Sequence, residues 1–72
     1  MTIKALAKQV MANEHGYAHW TVISMHERLY KEFTDKIELK DFLIEYGKWG
    51  WKVDEIEEDE NETNKLVIWL KM

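Results

Sequence analysis

Residues 35–59 read "DKIELKDFLIEYGKWGWKVDEIEED", and the fold turns on where helix gives way to strand within them. Leu39, Phe42, Leu43 and Tyr46 recur at the spacing of one helical face, and Ile44 widens it. Asp35 at the N-cap, with Glu38 three positions later, has the form of a capping box, in which each side chain satisfies an orphan amide. Gly47 or Gly50 is expected to end this helix, because glycine reaches positive φ without strain. Beyond it the period shortens to two. "WKVDEIEED" reads as a strand that runs into a polar turn at "ENETN", residues 60–64.

The flanking segments complete the pattern. Toward the C-terminus, "KLVIWLKM" puts Leu66, Ile68, Leu70 and Met72 on one face of a last strand, with Val67 and Trp69 on the other. Toward the N-terminus, "YAHWTVISM" at 17–25 is rich in β-branched and aromatic residues. "HERLYKEFT" alternates Leu29, Lys31 and Phe33 against Tyr30 and Glu32, which permits a second strand after a turn at "MHER". A single strand followed by a loop is the alternative. Residues 2–13 form the first expected helix, with Ile3, Leu6, Ala7, Val10 and Met11 on one face. Thr2 is placed to cap its start, and Gly16 to end it in a left-handed turn.

The expectation is one α+β domain over residues 1–72. An N-terminal helix over 1–16 precedes a β-β-α-β-β or β-α-β-β unit over 17–72, with a small antiparallel sheet. The last strand is apolar on both faces, so both faces of the sheet need cover. Two arrangements satisfy this: a helix on each face, or one face covered by a partner or a second copy.

"LIEYGKWGWKVDEI" at 43–56 resembles a family of small bacterial and phage domains of unknown function. Their signature reads roughly L-x-E-L-G-x-x-G-W-E-L-V-x-V. Leu43, Glu45, Gly47, Gly50, Trp51 and Val53 match it, Tyr46 replaces the usual Leu, and Trp49 stands where a charged residue is common. The resemblance covers about residues 18–72 and leaves the first helix outside. It implies a β-α-β-β architecture, but no reaction and no ligand. On physical grounds Trp51 is expected to plug the core just past the helix, contributing on the order of 2–3 kcal/mol.

Composition narrows the function. The chain has 72 residues and no cysteine, so neither disulfides nor thiolate zinc sites reinforce its thin core. The opening "MTIKALAKQVMANEHG" has no signal-peptide pattern, and the longest apolar run, "LVIWL", is too short to span a bilayer. A soluble, cytoplasmic protein with no membrane association is expected. Residues 1–53 sum to +1, residues 54–62 to −7 and residues 63–72 to +2. One segment thus carries the acidic excess, which disfavours direct nucleic-acid binding.

Reactive constellations are sparse. His15 and His19 lie four apart, but Gly16 separates them and neither they nor His26 fit a familiar metal spacing. The only serine, Ser24, sits mid-strand without a nucleophile elbow, and no glycine-rich phosphate loop is present. No enzyme, metal or cofactor is expected.

The partner-binding candidates are therefore Asp54, Glu55, Glu57, Glu58, Asp59, Glu60 and Glu62, together with Trp69. Acidic side chains on one strand face repeat at about 6.6–7 Å, close to phosphate spacing in a single strand. They offer either a negative array to a basic groove or a solvated hairpin tip that protects an edge strand. The expected function is non-enzymatic protein binding by a small bacterial or phage-encoded modulator or inhibitor. It would dock on a larger host protein, such as a nucleic-acid enzyme or a defence complex. The layout is also similar to a small phage inhibitor of bacterial RNA polymerase, without a shared motif. The competing expectation is a structural homo-oligomer, such as a homodimer, paired through the C-terminal apolar strand and without an inhibitory role.

Overall fold

A computed structural model describes residues 1–72. The first helix, α1 (Ile3–Ala12), begins where Thr2 Oγ1 accepts from the Ala5 amide at 3.1 Å. It ends at Asn13, not Gly16: Asn13 itself turns left-handed at φ 43°. The Asn13 side chain then holds the turn from both sides, donating to the Tyr17 carbonyl and accepting from the Tyr17 amide, each at 3.0 Å. An asparagine tolerates the left-handed region because its short polar side chain bonds locally.

Two hairpins follow, separated by the second helix. Strands β1 (His19–Ser24) and β2 (Leu29–Phe33) pair antiparallel around a turn at Met25–Arg28, so "HERLYKEFT" does supply a strand. Helix α2 (Lys36–Lys48) leads to β3 (Lys52–Glu58), which pairs antiparallel with β4 (Lys65–Lys71). The strand order is β2-β1-β4-β3. The two inner strands run parallel, His19 beside Lys65 and Ile23 beside Trp69. The sheet is therefore mixed, not antiparallel. Each hairpin is antiparallel within itself, but α2 carries the chain from one edge of the sheet to the other, and this aligns the inner strands in the same direction.

The ends of α2 differ from expectation in detail. Asp35 Oδ1 accepts from the Ile37 amide at 2.8 Å, one residue before the capping-box position. Gly47 lies inside the helix, and Gly50, at φ 85°, makes the left-handed reversal. Gly47 has another use: a side chain there would meet Ile3 Cγ2 at 3.2 Å, so its bare backbone is what lets α1 approach α2.

Both helices lie on the same face of the sheet. Ile3, Leu6 and Val10 from α1 and Leu39 and Leu43 from α2 pack with Trp20, Val22, Phe33, Ile68 and Leu70 in one cluster. Helix α1 thus belongs to this core and is no appendage to it. Trp51 joins the cluster at 9% exposure, its ring edge-on to Tyr46 at 5.0 Å. Ile44 is 39% exposed and does not extend the buried stripe. Of the two ways to cover the last strand, a helix on each face is the one not used. The second face of the sheet has no element over it.

Candidate functional site

The uncovered face is organised by strand register. In one cross-sheet row Glu32 lies beside Thr21, Thr21 beside Val67, and Val67 beside Glu57. In the next row Tyr30 lies beside Ile23, Ile23 beside Trp69, and Trp69 beside Glu55. The inner strands supply an apolar floor of Ile23, Val67, Trp69 and the Thr21 methyl. The edge strands supply carboxylates: Glu32 on β2, Glu55 and Glu57 on β3. Three interstrand spacings separate these edges, about 14 Å.

Local contacts fold partly over the floor. The Trp69 indole Nε1 donates to Glu57 Oε1 at 3.1 Å. The Tyr30 hydroxyl donates to Glu32 Oε1 at 3.0 Å. That bond is the main reason the Tyr30 pKa is raised, with the Glu32 charge and desolvation adding to it while Lys65 and Thr21 act the other way. The Thr21 hydroxyl is buried without a hydrogen-bond partner. Val67 is buried, Ile23 and Trp69 are half-buried, and Tyr30 is 64% exposed.

The seven carboxylates of residues 54–62 do not form one array. Asp54 is the extra residue of a β-bulge, where the register skips from Val53 to Glu55, and it pairs with Lys71 at 3.6 Å. A bulge on an edge strand disrupts the ladder and blunts pairing with another chain. Glu55 and Glu57 stand on the open face. Glu58 points the other way: it accepts from the Tyr17 hydroxyl at 2.7 Å and lies 3.6 Å from His15 Nε2. The His15 and Tyr17 rings stack at 4.4 Å. Burial chiefly, then this hydrogen bond and the Glu58 charge, raise the Tyr17 pKa. Asp59 ties the hairpin turn, accepting from the Asn61 and Glu62 amides at 2.8 and 3.1 Å. Glu60 is exposed.

Lys65 gathers the remainder. Its side chain is 15% exposed and lies 3.3 Å from Glu62, 3.6 Å from Glu32 and 4.0 Å from Asp59. Desolvation lowers the pKa of its ammonium, but the Glu62 hydrogen bond and charge, with Glu32 and Asp59, more than offset this and raise it. One cation is shared among three carboxylates, so this end of the face keeps a negative excess.

Six residues of this site were not among the sequence candidates: Thr21, Ile23, Tyr30, Glu32, Lys65 and Val67. Glu32 joins the acidic edge from outside the 54–62 segment, and its alternation with Phe33 was the available signal. Lys65 was visible only as a residue bordering an apolar run. The histidines do not converge: His15 sits by Glu58, His19 at the start of β1 and His26 in the β1–β2 turn. Two surface clefts flank α1. One is lined by Val10, Asn13, His15, Tyr17, Trp20 and Leu66, the other by Ile3, Lys4, Ile44, Trp51 and Lys52. No helix is long and apolar enough to cross a membrane. Comparison with known protein families, curated proteins and solved structures finds no match to this chain.

Proposed function

We propose that this chain is a non-enzymatic protein-binding module that docks on a larger protein through the open face of its sheet. The observation that carries this reading is the pair of rows Glu32–Thr21–Val67–Glu57 and Tyr30–Ile23–Trp69–Glu55, an apolar floor between acidic edges with no element of the chain above it. Aromatic anchors set among charged rims are a common composition for interface hot spots. Of the acidic segment, Glu55 and Glu57 belong to this surface, and Asp59 and Glu62 border it through Lys65. Glu58 holds the opposite side. A modulator of a basic host protein, such as a nucleic-acid enzyme, is the functional class that suits such a surface.

Both edges of β4 are hydrogen-bonded, to β1 and to β3, so a second copy pairing through this strand would have to use its face and not its edge. The test is capture of partners from the host lysate by the tagged chain and by two variants. Trp69→Ala with Glu55→Gln and Glu57→Gln is expected to lose a partner that Glu58→Gln with Glu60→Gln retains. Equal capture by both variants refutes docking through this face.

A further inference from the structure

The geometry points to one class of occupant for the open face: a basic amphipathic helix lying along β1 and β4, its apolar stripe on Ile23, Val67 and Trp69 and its lysines or arginines against the two acidic edges. This inference rests on the protein-binding reading above and specifies the partner.

Three observations carry it. The first is width. The acidic edges are about 14 Å apart, and a helix with its side chains is about 10–12 Å across. A helix therefore fits between the edges with cationic side chains reaching out to each. An added sheet would need an apolar surface across the whole face, and the carboxylates at its edges would be left without partners.

The second is spacing along the trough. Glu55 and Glu57 point to the same side two residues apart, about 6.6–7 Å. Cationic residues one turn apart on a helix advance about 5.4–6 Å, so successive turns meet successive carboxylates. The opposite edge offers Glu32 and the exposed Tyr30 hydroxyl, which already contact each other at 3.0 Å. A guanidinium can reach both, because its planar fork presents several donors.

The third is charge. The face and its two ends hold Glu32, Asp54, Glu55, Glu57, Asp59 and Glu62 against Lys52, Lys65 and Lys71, a net negative charge. Lys65 and Lys71 are engaged by carboxylates of this chain. A second copy laid face to face would bring acidic edges together and bury like charges, which is costly. A cationic partner meets the opposite situation and is also steered toward the face from a distance.

In the free protein Glu57 holds the Trp69 indole and Glu32 holds Lys65. A bound helix takes over both carboxylates and frees the indole to rotate onto its apolar stripe. The indole N–H signal of Trp69 is therefore the reporter, with those of buried Trp20 and Trp51 as internal controls.

The experiment is an NMR titration of the isotope-labelled full chain with synthetic peptides of about 18 residues, enough for about five turns. The probe carries leucines on one helical stripe and lysines on its flanks. Its companions are a scrambled peptide of the same composition and an all-lysine peptide. Expected are saturable shifts of Trp69, Ile23 and Val67, weakening with salt, and affinity at least about tenfold lower for Trp69→Ala and for the Glu32→Gln, Glu55→Gln, Glu57→Gln variant. Equal binding of all three peptides overturns the helix occupant and leaves acidic docking standing. Failure of every basic peptide to bind overturns both readings. Shifts of the same residues that grow with protein concentration alone identify a second copy as the occupant, and also overturn both.

Discussion

Trp69 and Trp51 sit on opposite faces of one sheet, the first bonded through its indole to Glu57 at 3.1 Å and the second buried beneath α2 against Tyr46 at 5.0 Å. Their truncation is expected to separate stability from binding. Trp51→Ala removes a core ring and costs about 3–5 kcal/mol, a large share of the total available to a domain this small. Trp69→Phe keeps an aromatic ring on the half-buried floor and loses one exposed hydrogen bond, so about 1 kcal/mol or less is expected. Urea denaturation followed by circular dichroism measures both. Comparable midpoints for the two variants contradict the assignment of faces.

Ser24 Oγ is buried beneath the helices without a hydrogen-bond partner. An unsatisfied buried hydroxyl carries its desolvation cost into the folded state. Ser24→Ala is therefore expected to stabilise the protein, by about 1 kcal/mol, which raises Tm by about 4–8 °C in a domain of this size. A lower Tm would show that the hydroxyl is satisfied after all. Because Ser24 lies on the helix side of β1, binding at the open face should not change.

Within the acidic turn, neighbouring carboxylates have different duties. Asp59 accepts from two backbone amides, at 2.8 and 3.1 Å. Asp59→Ala leaves those donors to water and loosens the hairpin, with an expected loss of about 1–2 kcal/mol. Glu60→Gln removes an exposed charge and should change stability by no more than about 0.5 kcal/mol. Thermal melts of the two variants, with amide exchange at Asn61 and Glu62, distinguish a turn that is tied at Asp59 from one that is merely solvated.

Alkaline pH should weaken the fold through three groups. Tyr17 is raised by burial first and by Glu58, Tyr30 by its hydrogen bond to Glu32 first, and Lys65 by Glu62, Glu32 and Asp59 against an opposing desolvation. Each holds its proton more tightly folded than unfolded. Their contribution is complete below the unfolded values, about pH 10, and is lost as pH rises through the folded ones. Melting temperatures across about pH 8 to 11 should fall most steeply above pH 10. The variant Tyr17→Phe with Tyr30→Phe should fall less steeply. A steepest fall below about pH 9 would contradict this origin.

Local grammar was readable along most of the chain, and its limits have identifiable causes. Five of the six elements announce themselves because apolar residues recur at the right periods, and the alternation of Trp20, Val22 and Ser24 against Thr21 and Ile23 assigns both faces of β1; β2 stayed open between strand and loop because its turn lacks Gly, Asn and Pro. What periodicity does not encode is which strands become neighbours. The parallel seam between β1 and β4 depends on where α2 delivers β3, a long-range consequence of core packing. The same holds for the site. The acidic segment was visible as a run of charge, but the strand period and the Asp54 bulge divide it between two faces. Glu32 enters the site from the other hairpin. Gly47 and Gly50 read as alternative helix stops; Gly50 makes the reversal, and the position of Ile3 gives Gly47 a different reason.

The seam between the inner strands also shapes how the protein folds. Each hairpin closes over a short turn, but His19 meets Lys65 46 positions along the chain. The hairpins and α2 can therefore form from local contacts, while the centre of the sheet waits for the costlier closure of the long intervening loop. That closure is completed by residues of both kinds: Trp20, Val22, Ile68 and Leu70 on the helix side, Thr21 and Val67 on the other. The strip on which a partner would lie therefore depends on the costliest chain closure in the fold, and a substitution that weakens this seam is expected to reach the docking face along with the core.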